Sequence, residues 1–379
     1  MTTEISSNCW IEIDRAALES NIVNLRRLAG EGVLFMAIVK ANAYGHGIVE
    51  IAQLARESGV DWLGVFSVTE GVRLRKAGVS IPILVLGPPH PSEIPLAVNE
   101  NLRLTVPSQP VARGIATHSH GQVSVHLKLE TGTNRQGLHP EEVPHTIEIL
   151  KKGGVNVEGI YTHFADIEDT TDHSFAERQL ELFKNQLDNI QASGYEIPIA
   201  HTACSAATIL FPSTYFNLVR VGISLYGLWP SRETRVSAQS LGRSSINLQP
   251  VMTWKTRIAQ IKKLEKNDYI GYGCTYRTTR KTRLAVLPIG YADGYPRDLS
   301  DRAHVLVRGS RAPVRGRICM NMTLVDVTDI PSAAPGNHVV LLGAQGDEVV
   351  TADDLARLAG TINYEIVTRV APYAPRIIV

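Results

Sequence analysis

The feature that most limits what this chain can fold into is an alternation that persists from residue 15 to about residue 230. Eight short apolar runs read as buried strands, at residues 33–39, 62–66, 81–86, 102–106, 123–129, 155–161, 197–201 and 217–221. Between them lie segments with helical spacing. The first follows Asp14, a good N-cap residue, and sets Leu18, Ile22, Leu25 and Leu28 on one stripe. A longer one follows Asp172-His173-Ser174, carries Leu180, Phe183, Leu187 and Ile190, and stops at Gly194. Eight strands, each followed by a helical or irregular stretch, are the count for a (β/α)8 barrel.

Beyond about residue 240 the texture changes. Residues 231–245 are polar and without clear period, which reads as a linker or a domain-crossing loop. After them come β-branched runs at 258–261, 284–288, 305–307, 324–327 and 339–342, separated by Gly, Pro, Asn and Asp clusters, with one helix expected around 351–358. The expected organisation is therefore α/β: a TIM-like barrel over residues 10–240, then a mostly β domain over 241–379. The segment 9–14 alternates like a strand and precedes the first barrel helix, so residues 1–9 are expected to pack on the second domain.

Hydrophobic residues make up 44% of the 379 and charged residues 20%, enough for a large core and little room for disorder. Lys and Arg number 38 against 37 Asp and Glu, a net charge of +1 that argues against a nucleic-acid or anionic-membrane partner. No apolar run approaches the ~18 residues needed to span a bilayer. Met1-Thr2-Thr3-Glu4 offers neither a basic region nor an apolar one, so no secretory signal is visible and a cytoplasmic protein is expected. Cys9, Cys204, Cys274 and Cys319 lie far apart, which suits reduced thiols. His118-Ser119-His120 and His201-Thr202-Ala203-Cys204 lack a second ligand pair at zinc spacing, so loop or core histidines are the better reading and no metal is expected. No glycine-rich dinucleotide or P-loop motif is present.

In a barrel, functional groups gather at the C-terminal ends of strands. The first run closes with Val39-Lys40-Ala41-Asn42-Ala43-Tyr44-Gly45-His46-Gly47. A lysine ending a buried strand must be paired, desolvated, chemically used or free to snorkel outward. The stretch from Lys40 to Gly47 resembles the pyridoxal-phosphate lysine motif of the alanine racemase family. Further signatures of that family follow in order: Thr162-His163-Phe164-Ala165, His201 to Ala207, Arg220-Val221-Gly222-Ile223-Ser224-Leu225-Tyr226-Gly227, Gly271-Tyr272-Gly273-Cys274-Thr275-Tyr276, Pro288-Ile289-Gly290-Tyr291-Ala292-Asp293-Gly294, Gly316-Arg317-Ile318-Cys319-Met320 and Thr361-Ile362-Asn363-Tyr364-Glu365. The resemblance covers the chain from Cys9 to its end. It implies a pyridoxal 5'-phosphate-dependent racemase that interconverts L-alanine and D-alanine for cell-wall peptidoglycan, and a homodimer with shared active sites.

The resemblance also implies residue roles. Lys40 holds the cofactor aldehyde and is the base on one face of the substrate carbon, and Tyr272 of the partner subunit is the base on the other. An ordinary tyrosine is a poor base at neutral pH, and the family pattern links Tyr272 to His163 and then Arg220. Arg220 faces the cofactor's ring nitrogen and, as a permanent cation, keeps that nitrogen unprotonated, whereas related decarboxylases of this fold use glutamate there. Ser205, the amides of Gly222 and Ile223, and the hydroxyls of Tyr44 and Tyr364 hold the phosphate. Arg135 and Met320 of the partner subunit meet the substrate carboxylate. Lys128 matches a lysine that some members carry as a carbamate, and Tyr291 and Tyr364 narrow the way in.

Cys204, Asn321 and Thr133 depart from common family choices of asparagine, aspartate and methionine, which bears on substrate breadth and rate. Two other readings stand beside this one: a broad-specificity amino-acid racemase on the same scaffold, and a non-catalytic pyridoxal-phosphate carrier. The second conflicts with the β domain and Tyr272.

Overall fold

The computed structural model describes residues 7–119, 123–243 and 246–379. The N-terminal tetrapeptide, His120, and Ser244 and Ser245 of the polar stretch lie outside the described residues. The chain forms two units, one of Ala16–Ala43 and Ile51–Gln249, the other of Met1–Arg15, Tyr44–Glu50 and Pro250–Val379.

Strand β1 (Cys9–Ile13) belongs to the second of these units. The next eight strands, β2 (Leu34–Ile38), β3 (Trp62–Val65), β4 (Ile83–Val85), β5 (Arg103–Val106), β6 (Ser124–Lys128), β7 (Asn156–Tyr161), β8 (Ile199–His201) and β9 (Leu218–Val221), build the first. They form one parallel sheet in the order β8-β7-β6-β5-β4-β3-β2-β9, a nearly closed barrel. At the remaining seam the Asn217 side-chain carbonyl accepts from the Ala200 amide at 2.8 Å, and the Arg220 amide donates to the Ala203 carbonyl at 3.0 Å. Each of the eight apolar runs contains one strand, shortened at its ends. Phe35, Met36, Leu63, Leu104, Val125, Leu127 and Ile160 are wholly buried, as strands covered on both faces require. The helix Arg15–Ala29 buries Leu18, Ile22 and Leu25, with Ala29 rather than Leu28 completing its inner face. The helix Ser174–Ala192 buries Leu180, Phe183 and Ile190.

The polar stretch 231–245 is not a plain linker. Residues Arg232–Ser240 form a helix, whose N-terminus is capped by Ser231 Oγ accepting from the Thr234 amide at 2.8 Å. Its buried side chains are Thr234, Ser237 and Ala238, small and mostly polar, so no hydrophobic period marks it.

In the other unit, β1 pairs antiparallel with β10 (Met252–Arg257), which begins the expected β-rich region. Strands β11 (Gln260–Leu264), β12 (Tyr269–Ile270), β13 (Tyr276–Arg277), β14 (Thr282–Leu287), β15 (His304–Val307), β16 (Ser310–Pro313), β17 (Thr323–Asp326), β18 (His338–Gln345), β19 (Glu348–Val350) and β20 (Arg376–Ile378) follow. The main sheet runs β16-β15-β18-β10-β1-β20, with β19 on β18, beside a three-stranded sheet β11-β14-β17 and the hairpin β12-β13. The apolar run 258–261 is a partial correction: Ile258 and Ala259 form the crossing between β10 and β11, where the chain leaves the main sheet for the three-stranded one, and Gln260 and Ile261 begin β11. The expected helix is Ala352–Ala359, and a second, Asn363–Thr368, follows it. Among the described residues no helix is long and apolar enough to cross a membrane.

Candidate active site

The residues after β2 adopt an unusual turn. Ala41, Asn42, Ala43 and Tyr44 have φ of 53°, 54°, 54° and 52°, a left-handed helical turn that only glycine enters without cost. Glu70 anchors it: its carboxylate accepts from the Ala41 amide at 2.7 Å and, on the other oxygen, from the amides of Phe66 and Ser67 at 2.8 and 3.3 Å. Strain of this kind is maintained where it presents a side chain, here Lys40 at the head of the turn. Burial, and then the charge of Arg135, lower the pKa of Lys40, with Glu70 and Glu168 acting in the opposite sense. The amine is thereby moved toward the neutral, nucleophilic form.

Around it the ends of the barrel strands collect positive charge. Arg220, on β9, is 4% exposed and donates to the carbonyls of Thr162, His201 and Thr202 at 2.8, 2.9 and 2.9 Å. It also donates to His201 Nδ1 at 2.8 Å and reaches His163 Nδ1 at 3.4 Å. Burial lowers the guanidinium pKa to about 10, so it remains charged at neutral pH. His163 is held well below its usual range by burial and by Arg220, Lys128, Arg135 and Lys40 together. Four basic side chains thus bear on one neutral imidazole.

Lys128 ends β6, is 2% exposed, and its Nζ has no hydrogen-bond partner; it lies over the face of Tyr161, 4.8 Å from the ring centroid. Burial, then Arg220 and Arg135, hold its pKa far below that of a free lysine. Arg135 sits in the loop after β6, which Glu130 organises. Its carboxylate is desolvated yet has a lowered pKa, because the amides of Gly132, Asn134, Thr133 and Arg135 donate to it. Thr133, one of the departures, ties this loop to the next by donating to the His163 carbonyl at 2.7 Å.

After β8, buried Ser205 accepts from the Gly222 amide at 2.9 Å and from the Ser224 amide at 3.5 Å, while the Ser224 hydroxyl is buried without a partner. Ile223 starts the short turn that follows Gly222. Hydroxyls and amides gathered after the last two barrel strands are the donors a phosphate requires. Cys204, another departure, is buried, and burial pushes its thiol up to about 12, so it acts as a small neutral side chain.

The remaining expected residues belong to the β-rich unit. The rings of Tyr44 and Tyr364 lie 6.1 Å apart. Tyr272 projects from the β12–β13 hairpin and is 71% exposed. Met320 and Tyr291 are brought together because the Ala292 amide donates to the Met320 carbonyl at 2.9 Å and the Tyr291 amide to the Cys319 carbonyl at 3.1 Å. Gly290 permits this approach, since a Cβ there would collide with the Cys319 and Met320 carbonyls. Asn321, the third departure, is exposed.

Sequence reasoning assigned no role to Glu70, His126, Glu158, Tyr161 or Thr105. The Tyr161 hydroxyl pairs with Thr105 at 2.9 Å, and its ring stacks on His201 with centroids 4.7 Å apart. Glu70 carried one readable signal, Ser67 three residues before it, which is a capping box.

Among the barrel's residues are a desolvated amine, a buried guanidinium and a hydroxyl-amide cradle, which fit an electron-poor ring bearing an aldehyde and a phosphate. Comparison with known proteins identifies the family. Residues 13–230 match the family described as "Alanine racemase, N-terminal domain" and residues 251–378 match "Alanine racemase, C-terminal domain". The alanine racemase of Halothermothrix orenii is 42% identical over 380 residues, covering 99% of this chain and 98% of that one. That of Leptospira interrogans serovar copenhageni is 40% identical over 371 residues, covering 98% and 95%. Among solved structures, the alanine racemase of Bacillus anthracis with bound L-Ala-P superposes with a TM-score of 0.92 at 35% identity, covering 100% of this chain and 96% of that one. The Clostridium difficile alanine racemase in complex with cycloserine gives 0.90 at 33% identity, covering 99% and 96%. With barrel and β-rich unit both matched along almost their whole length, the chain belongs to the alanine racemase family, isomerases acting on amino acids.

Proposed function

We propose that this chain interconverts L- and D-alanine with pyridoxal 5'-phosphate as cofactor, as a cytoplasmic homodimer that supplies D-alanine for peptidoglycan. The observation that carries the reading is the convergence of Lys40, Lys128, Arg135 and Arg220 around His163, four basic groups, two of them amines pushed toward the neutral form, which anionic ligands would suit. When bound, the cofactor supplies an aldehyde that joins an amine and a ring that accepts electron density from the substrate's α-carbon.

The chain's residues do the rest. Lys40 Nζ, of lowered pKa, holds the aldehyde and, once released, moves a proton on one face of the α-carbon. Tyr272 of the partner subunit moves the proton on the opposite face at its phenolic oxygen, with His163 and Arg220 behind it. Arg220, by remaining charged, would hold the ring nitrogen of the bound cofactor unprotonated, which would disfavour decarboxylation and transamination. Arg135 and Met320 of the partner subunit orient the substrate carboxylate. Ser205, Gly222, Ile223, Tyr44 and Tyr364 hold the phosphate, and Tyr291 with Tyr364 restricts access. The orphaned Lys128 Nζ suits addition of carbon dioxide: the neutral amine bonds to the carbon and sheds a proton, replacing a buried amine that has no partner by an anion beside Arg135 and Arg220.

The test is chiral analysis of alanine after L-alanine is incubated with the cofactor-loaded protein, beside a panel of serine, lysine and arginine. We expect a racemic mixture from alanine. Lys40→Ala should lose racemisation and the borohydride-reducible yellow colour together, because attachment and one base disappear at once. A variant that still holds reducible cofactor would sink the assignment of Lys40.

A further inference from the structure

Behind Arg220 the barrel contains a line of polar groups that the proposed chemistry does not use. His201 Nδ1 lies 2.8 Å from Arg220 Nη1, His201 Nε2 lies 2.8 Å from His126 Nδ1, and His126 Nε2 lies 3.7 Å from Glu158 Oε2. Glu158 in turn meets Arg103 Nε at 3.2 Å. The line runs from β9 through β8 and β6 to β7 and the first residue of β5, and both histidines are wholly buried.

The backbone is shaped for it. The β6–β7 register shifts between Val125 and His126, so Val125 faces Val157, His126 faces Gly159, and Glu158 is the extra residue of a bulge. Bulges re-aim a side chain, and this one turns a carboxylate toward a buried ring. The residue opposite His126 is a glycine, where any Cβ would collide with Nδ1, Cε1 and Cγ of that imidazole. Trp62 and Tyr161 fix the rings from the sides, with centroids 5.4 Å from His126 and 4.7 Å from His201.

Hydrogen-bond direction admits one arrangement. Arg220 is a donor only, so His201 Nδ1 must accept and His201 Nε2 must carry the hydrogen. His126 Nδ1 must then accept, which leaves the hydrogen on His126 Nε2, where the Glu158 carboxylate at 3.7 Å attracts it electrostatically from beyond hydrogen-bond length. The opposite polarity would set an N–H against the guanidinium. We propose that Glu158 and His126 are positioning residues for racemisation: through His201 they lock one tautomer chain that holds the Arg220 guanidinium in the orientation the ring nitrogen requires. This rests on the reading of Arg220 above.

Both rings are neutral in this arrangement. The groups that bear on His126 are Glu158, Arg103 and Arg220, and those on His201 are Arg220, Lys128 and His126; burial disfavours the charged form of each.

The experiment uses the full chain labelled with 15N-histidine, with and without cofactor, the His126 resonances being assigned by their loss in His126→Phe. In the wild type both rings should report the neutral Nε2–H form between about pH 6 and pH 8. Glu158→Leu should release His126 into a mixture of tautomers and lower kcat roughly ten-fold, the low end of what outer hydrogen-bond partners contribute at metal sites, with KM for alanine changed by less than about two-fold. Glu158→Gln, which retains an acceptor oxygen, should restore the single tautomer and most of kcat. An Nδ1–H or charged form at His201 in the wild type would overturn the proposal, as would Glu158→Leu with unchanged tautomers and kcat. If Glu158→Leu does not fold, the wild-type tautomers and the Gln variant decide. Wrong tautomers in an active racemase sink the relay alone; correct tautomers in a protein without racemase activity support the relay and sink the functional reading.

Discussion

Arg220 shows how much one residue can carry. Its guanidinium satisfies three buried carbonyls and a histidine, so removing it leaves acceptors of Thr162, His201 and Thr202 unpaired in the core. At about 1–3 kcal/mol for each unsatisfied group, Arg220→Leu should lower stability by roughly 3 kcal/mol or more. Arg220→Lys should fall between, because three donors on one nitrogen cannot span that set. A urea titration reads this as a lower midpoint at unchanged slope; a Leu variant within error of the wild type would show that the network contributes nothing net. At Lys128 the prediction is spectroscopic. Protein equilibrated with 13C-labelled bicarbonate should give a carbamate carbon signal that Lys128→Ala lacks, since burial and the neighbouring arginines push the orphaned amine toward its unprotonated, reactive form. No signal at neutral pH would remove the carbamate from the account.

At the scale of elements, the left-handed turn after Lys40 depends on Glu70, whose carboxylate both caps the helix Val68–Lys76 and holds the Ala41 amide. Glu70→Ala should cost about 1–2 kcal/mol, as loss of a cap does, and should also weaken cofactor retention. Retention at the wild-type level would mean that the turn holds itself. The interior histidines of the barrel set a pH dependence. His163, His201 and His126 have folded-state pKa values below the usual 6.5, so the unfolded chain takes up protons that the native state refuses. Stability should therefore fall as pH drops through about 6.5, by roughly 1.4 kcal/mol per pH unit for each histidine. Urea midpoints between pH 7.5 and about 5.5 test it, and a flat profile would contradict it. The strands were legible because parallel strands buried on both faces must be apolar, and the eight runs locate all eight. The helix Arg232–Ser240 was not, because its buried face is Thr234, Ser237 and Ala238, nor was the crossing at Ile258 and Ala259, which continues the same apolar run into β11. At the site, Lys40, Arg135 and Arg220 could be named from motifs. The bulge that turns Glu158 inward leaves no mark in residue type, and His126 looks like any core histidine.

For the whole molecule, the proposed dimer places one base on each chain. Tyr272, Met320 and Met322 are 71%, 57% and 53% exposed, so the base assigned to the partner is accessible on this chain's surface. Lys40→Ala and Tyr272→Phe chains, each inactive alone, should regain part of the activity on mixing, since one site of the heterodimer would hold both bases. Absence of complementation despite demonstrated subunit exchange would put both bases on one chain. The central claim, that Lys40 and Tyr272 address opposite faces of the α-carbon, is tested most directly by solvent-deuterium exchange in Tyr272→Phe. That variant retains its lysine, so it should load cofactor and stay yellow, while racemisation falls by about 10²–10⁴-fold in both directions. Lys40 can still exchange the α-hydrogen from its own face without inversion. The account predicts faster deuterium incorporation into D-alanine than into L-alanine; equal incorporation, or faster incorporation into L-alanine, would contradict it.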